Sequence, residues 1–146
     1  MKPIGYLLLL FFLLVGCNQK DDDPIQCTDS GNCDDCIIIN KNLYDQTTTD
    51  NYTIEDITIN QDCLEITFSA SGCDGNTWEI DVIDLGGIAE TAVPQRDLKL
   101  KLINNEACLA VFTRTISFNL APLQLINYSA VNLKIADYPT VISYEY

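Results

Sequence analysis

The chain has 146 residues, 47% of them hydrophobic, with 8 lysines and arginines against 21 acids and no histidine. That length suits one domain with a sizeable core, and a net charge of −13 disfavours nucleic acid and anionic lipid headgroups as partners. Without histidine, the Ser-His-Asp and Cys-His nucleophile systems, the histidine-containing zinc sites and the commonest general base are all excluded.

Lys2 precedes an apolar run from Ile4 to Val15. The run has the length of a signal-peptide core and falls short of the roughly 20 residues of a spanning helix. No A-x-A-like cleavage site follows it. Leu14-Val15-Gly16-Cys17 instead resembles the lipobox of bacterial lipoproteins. The resemblance implies a diacylglyceryl group on the Cys17 thiol, cleavage just before Cys17 and acylation of the new amino group. At ~0.8 kcal/mol per buried methylene, two or more acyl chains make a stable anchor. Lys20-Asp21-Asp22-Asp23 resembles the export signal of surface lipoproteins in Bacteroidota. It implies that Lys20, Asp21 and Asp22 direct the protein to the outer face of the outer membrane. The plainer reading of the same run is a solvated tether. The expected organisation is therefore a signal peptide over 1–16, a lipidated, acidic and cysteine-rich tether over 17–36, and a folded domain over 37–146. Removing residues 1–16 leaves 130 residues and takes Lys2 with it, shifting the net charge to −14.

With Cys17 set aside, six cysteines remain: Cys27, Cys33, Cys36, Cys63, Cys73 and Cys108. An even number in an exported chain reads as up to three disulfides, with 15 possible connectivities. Cys73 at a strand end and Cys108 within an apolar stretch are expected to pair, because the other thiols crowd toward the N-terminus. Among those others, Cys36 with Cys63 and Cys27 with Cys33 is the favoured arrangement, although neighbouring thiols can exchange roles. Cys33-Asp34-Asp35-Cys36 has redox-type spacing, but its two aspartates oppose thiolate formation, so a structural role is expected. A tetrathiolate zinc site from Cys27, Cys33, Cys36 and Cys63 is disfavoured by an oxidising exterior. No metal and no cofactor is expected.

Past Ile37 the pattern is period two, that of half-buried strands. Tyr52 to Ile59 reads as one strand. In the next, Leu64, Ile66, Phe68 and Ala70 face inward against Glu65, Thr67 and Ser69. Trp78, Ile80 and Val82 alternate with Glu79 and Asp81, and Leu98, Leu100 and Leu102 with Lys99 and Lys101. Ala107 to Thr113, apolar on both faces, predicts a central strand. Val131, Leu133 and Ile135 alternate with Asn132 and Lys134, and Val141 to Tyr146 closes the sheet. Turn signals such as Ser71-Gly72, Asp74-Gly75-Asn76, Gly86-Gly87 and Asn104-Asn105 separate the runs. No amphipathic helix is evident. The expectation is an all-β fold: a single antiparallel β-sandwich, immunoglobulin-like, with disulfides. Gly72-Cys73, the strand with Trp78, Cys108, Phe118-Asn119-Leu120 and the Tyr144 strand together resemble the NigD-like C-terminal β-sandwich of small Bacteroidota lipoproteins, over about Ile57 to Tyr146. The resemblance implies a fold and no activity.

Asp29, Asn32, Asp34 and Asp35 could offer oxygens to calcium, yet they lack the spacing of a calcium loop. Glu65, Glu79 and Asp81 could supply a carboxylate pair for glycoside chemistry, although outward acids are ordinary on so acidic a surface. Trp78 has core parity, leaving Tyr128, Tyr138, Tyr144 and Tyr146 as candidates for an exposed aromatic patch, although Tyr144 also suits a buried place. The function expected is a non-catalytic binding or interaction module at the cell envelope. It would be anchored in the membrane by lipid, meet a protein or glycan partner and bind no nucleic acid. The alternative is a carboxylate-dependent hydrolase acting on glycans or peptides, and a rigid protruding loop from Leu85 to Gln95 would instead suggest a purely structural or inhibitory role.

Overall fold

Residues 29–146 are described by a computed structural model; Cys17, Lys20, Asp21, Asp22 and Cys27 lie outside them. Where apolar residues alternate with polar ones, the chain forms strands whose apolar faces meet in one core. In chain order these are β1 (Asp35–Ile39), β2 (Thr53–Asn60), β3 (Cys63–Gly72), β4 (Glu79–Asp84), β5 (Gln95–Ile103), β6 (Ala110–Asn119), β7 (Ala130–Ile135) and β8 (Ile142–Glu145). Leu64, Ile66 and Phe68 of β3, Leu98 and Leu100 of β5 and Val131 and Leu133 of β7 are fully buried, as their parity requires. Among the described residues no helix is long and apolar enough to cross a membrane.

The strands form one sheet in the order β2-β3-β6-β1-β4-β5-β7-β8, curled into a nearly closed, barrel-like form. Its two arms meet over a common core. The Tyr52 hydroxyl donates to the Leu100 carbonyl at 2.7 Å, and the Phe68 ring stands 5.9 Å from Trp78. The fold is all-β, but its pairing corrects the antiparallel expectation: β1 runs parallel to both β4 and β6, and β5 runs parallel to β7. Alternation reports which face a residue takes and carries no information about strand direction.

A six-residue helix, α1 (Lys41–Gln46), follows β1 and shows no apolar stripe in the sequence. Asn40 caps it, its side-chain oxygen accepting the Leu43 N–H at 2.9 Å. Lys99 ties its far end to the sheet by donating to the Tyr44 and Thr47 carbonyls, with the Tyr44 ring 4.5 Å from its ammonium.

The N-terminal boundary also moves. Residues expected in the tether are built into the sheet: β1 begins at Asp35, the Asp34 carboxylate accepts from the Ser117 N–H and hydroxyl, and Asn119 donates to the Asp29 carbonyl. Those Ser117 bonds, chiefly the hydroxyl's, hold the Asp34 carboxyl below its ordinary value.

Candidate functional site

The strand directions give the molecule two ends. At the far end, β3 and β5 finish while β2, β4 and β6 begin, and the β3–β4 turn lies against the β5–β6 connection. Cys73 and Cys108 join these two loops, the pairing expected from the sequence, with Cα atoms 4.8 Å apart. Beside the bridge, Glu106 fills a nest of backbone donors. Its Oε2 accepts the N–H groups of Cys73, Asp74 and Gly75 at 2.5–3.2 Å, and its Oε1 accepts the Thr77 hydroxyl at 2.8 Å. Desolvation, the largest single influence, pushes this carboxyl upward, but the bonds from Gly75, Thr77, Cys73 and Asp74 together outweigh it and hold it at about 2. Arg114 donates to the Gly75 carbonyl at 2.6 Å and completes the clasp.

This clasped corner forms one wall of a groove of about 520 Å³ running between β2 and the β5–β6 connection. Tyr52, Ser71 and Asn104 line it, with Leu109 and Val111 on its rim. Leu109 is 91% exposed and Val111 67%. The central strand expected over Ala107 to Thr113 is thereby corrected. β6 is central in the sheet, but it starts at Ala110 and its first residues project beyond the core. Tyr52 spends its hydroxyl on Leu100, and burial, with the nearby Asp137 charge, raises its pKa. Asn51 and Asn104 donate to the Leu102 and Ser71 carbonyls, so the groove's floor is held by its own bonds.

The opposite end carries the second disulfide. Cys63 is joined to Cys33, which overturns the expected pairings of Cys36 with Cys63 and of Cys27 with Cys33. Cys36 is disulfide-bonded as well. The reason is the register of β1: Asp35 and Cys36 lie level with Phe118 and Asn119, and Cys63 lies opposite Asn119 on β6's other side. Cys36 is therefore a strand away from Cys63, while Cys33, in the turn before β1, approaches it. Nearby, the Tyr144 hydroxyl donates to Asp62 and accepts from Gln124 at 2.7 Å. Burial first, and then the Asp62 bond, push this phenol up to about 12. A cleft of about 440 Å³ opens at this end between the β4–β5 loop and the β6–β7 connection, lined by Ile88, Pro94, Leu125, Ile126 and Tyr128.

The remaining candidates are dispersed. Glu65 on β3 is separated from β4 by β6 and β1, so it does not join Glu79 and Asp81. Glu65 accepts from Asn60, and Asp81 pairs with Lys101 at 2.7 Å. Asp29 accepts the Gly31 N–H and Asp35 that of Cys36. The aromatic patch is corrected too. Tyr128 is exposed, but Tyr144 is fully buried, and Tyr138 and Tyr146 pack against the core. The sequence reading also missed Asp84 and Arg96, a buried pair at 2.9 Å. Its signal is present: both continue the inward parity of Ile80-Val82 and Leu98-Leu100. Burial pushes the Asp84 carboxyl up, opposed by Arg96 and the Gly86 N–H.

No family model matches the chain, and no curated protein does. Among solved structures it is similar to a protein of unknown function from Bacteroides vulgatus ATCC 8482, described as DUF1344, with a TM-score of 0.49 and 15% identity. The match covers 77% of this chain and 54% of that one, so the chain spans about half the length of that structure.

Proposed function

We propose that the protein is a lipid-anchored, non-catalytic binding module of the cell envelope, presenting the groove beside Cys73–Cys108 to a partner. The observation that carries this is the rim. Leu109 and Val111 stand exposed on a corner made rigid by a disulfide and by the Glu106 clasp. Exposed apolar side chains on a preorganised frame are the makings of an interaction site. Aliphatic rim residues favour a polypeptide over a glycan, because sugars are gripped by open aromatic faces, and the groove's Tyr52 ring is half-buried against Phe68. The acidic surface favours a neutral or basic partner. Anchoring at Cys17 and outer-surface display through Lys20, Asp21 and Asp22 complete the reading. The sandwich interpretation of the fold belongs here as well: the arms β2-β3-β6 and β4-β5-β7-β8 serve as two layers that share β1.

A photo-reactive amino acid at Leu109 or Val111, in cells producing the whole chain, tests the groove. A discrete cross-linked polypeptide is expected from either position and not from exposed Lys134 on β7. The same yield from all three positions would refute it.

A further inference from the structure

Asp29, the first described residue, lies at the end of the sheet opposite the groove. Its carbonyl accepts from Asn119 at the end of β6. The segment that follows Asn119 leads directly to the second cleft. Its Leu120 N–H donates to the Asp62 carbonyl, and its Gln124 is linked to Asp62 through the Tyr144 hydroxyl. The chain's entry point and the cleft of Ile88, Leu125, Ile126 and Tyr128 therefore share one end of the molecule. Ile126 is 89% exposed, Tyr128 52% and Ile88 44%.

Twelve residues lead from Cys17 to Asp29, a reach of at most about 40 Å. A domain of this size is itself about 35 Å across. A lipid on Cys17 thus attaches the domain to the bilayer through its Asp29 end. A tether as long as the domain is wide still leaves the domain free to turn, so any fixed orientation has to come from the surface at that end. An exposed aliphatic cluster with a tyrosine at its edge has the composition of a surface that rests in the interfacial layer. The acids at this end, Glu90 in the cleft with Asp29, Asp34 and Asp62 near the entry point, exclude anionic headgroups.

We infer that the cleft between the β4–β5 loop and the β6–β7 connection is a membrane seat, resting on a zwitterionic lipid surface and fixing the groove outward. The inference rests on the anchored reading of Cys17. It adds an orientation that a lipid on a loose tether does not supply.

The test uses the full lipidated chain in phosphatidylcholine vesicles containing brominated lipid, with tryptophan introduced as Ile126→Trp or Leu109→Trp. Both positions are exposed enough to accept the ring, and buried Trp78 provides a common background. An interfacial surface sits ~5–10 Å into the headgroup boundary, so quenching should be about threefold stronger at position 126 than at 109. Adding phosphatidylglycerol should reduce that difference. Lipidated protein that floats with the vesicles but is quenched equally at both positions overturns the seat alone. A chain that carries no lipid overturns the seat and the anchored reading together. Crosslinking of two copies through position 126 without quenching assigns the cleft to a second copy, and also overturns the seat.

Discussion

Gly72 ends β3 where its backbone passes against the Trp78 ring and the Glu106 carboxylate. A Cβ there would meet Trp78 Cζ2 at 2.9 Å and press on Glu106 Oε2. Both neighbours are held, Trp78 by the core and Glu106 by four donors. Gly72→Ala should therefore destabilise the protein by ~1–3 kcal/mol, the usual cost of overpacking, in thermal or urea unfolding. Glu106 itself makes stability depend on pH. Its carboxyl lies at about 2 against an ordinary 4.5. A lowered carboxylate contributes stability that is present above 4.5 and is lost as pH falls toward 2. Glu106→Gln should flatten the unfolding profile between those limits, leaving the variant nearer to wild type at pH 2 than at pH 7. An unchanged slope would show that the clasp does not operate in solution.

At the scale of elements, parallel pairing makes β1 the seam of the fold. It joins β6 on one side to β4 on the other, and its register places Cys33 rather than Cys36 against Cys63. Next to the seam, Asp84 and Arg96 close the base of the β4–β5 loop. Asp84 accepts from Arg96 and from the Gly86 N–H, and the Ala89 N–H donates to the Gln95 carbonyl farther along. Arg96→Leu removes one partner of a buried pair and should cost ~3–5 kcal/mol, whereas adding Asp84→Leu to it should recover most of the loss. Chemical denaturation of the single and double variants checks this. A double variant as unstable as the single one would mean that the loop needs the carboxylate for Gly86 more than it needs Arg96.

For the whole molecule, anchoring and display make separable predictions. Cys17→Ser should release the protein from the membrane fraction or leave it unprocessed, and mass spectrometry of the wild-type N-terminus should find a lipidated cysteine. Replacing Lys20, Asp21 and Asp22 by alanine should leave that lipid in place and lower digestion by external protease on whole cells at least about tenfold, if the run is an export signal rather than a solvated tether. Unchanged digestion would reduce the run to a tether.

What the sequence determined by itself was facial. Period-two alternation assigned Leu64, Ile66, Phe68, Leu98, Leu100 and Leu133 to the core, because a pleated strand puts neighbouring side chains on opposite faces whatever it pairs with. It also marked Cys73 and Cys108 as partners, since the other thiols lie close together near the N-terminus. Strand direction, register and end were decided only in three dimensions. The parallel seam at β1, the exchange of Cys36 for Cys33 and the Glu106 nest all depend on which strand lies beside which. So do the groove rim and the cleft at the opposite end. All of them rest on long-range strand pairings, made by backbone hydrogen bonds that every residue except proline offers alike, and so they leave no mark in the local pattern.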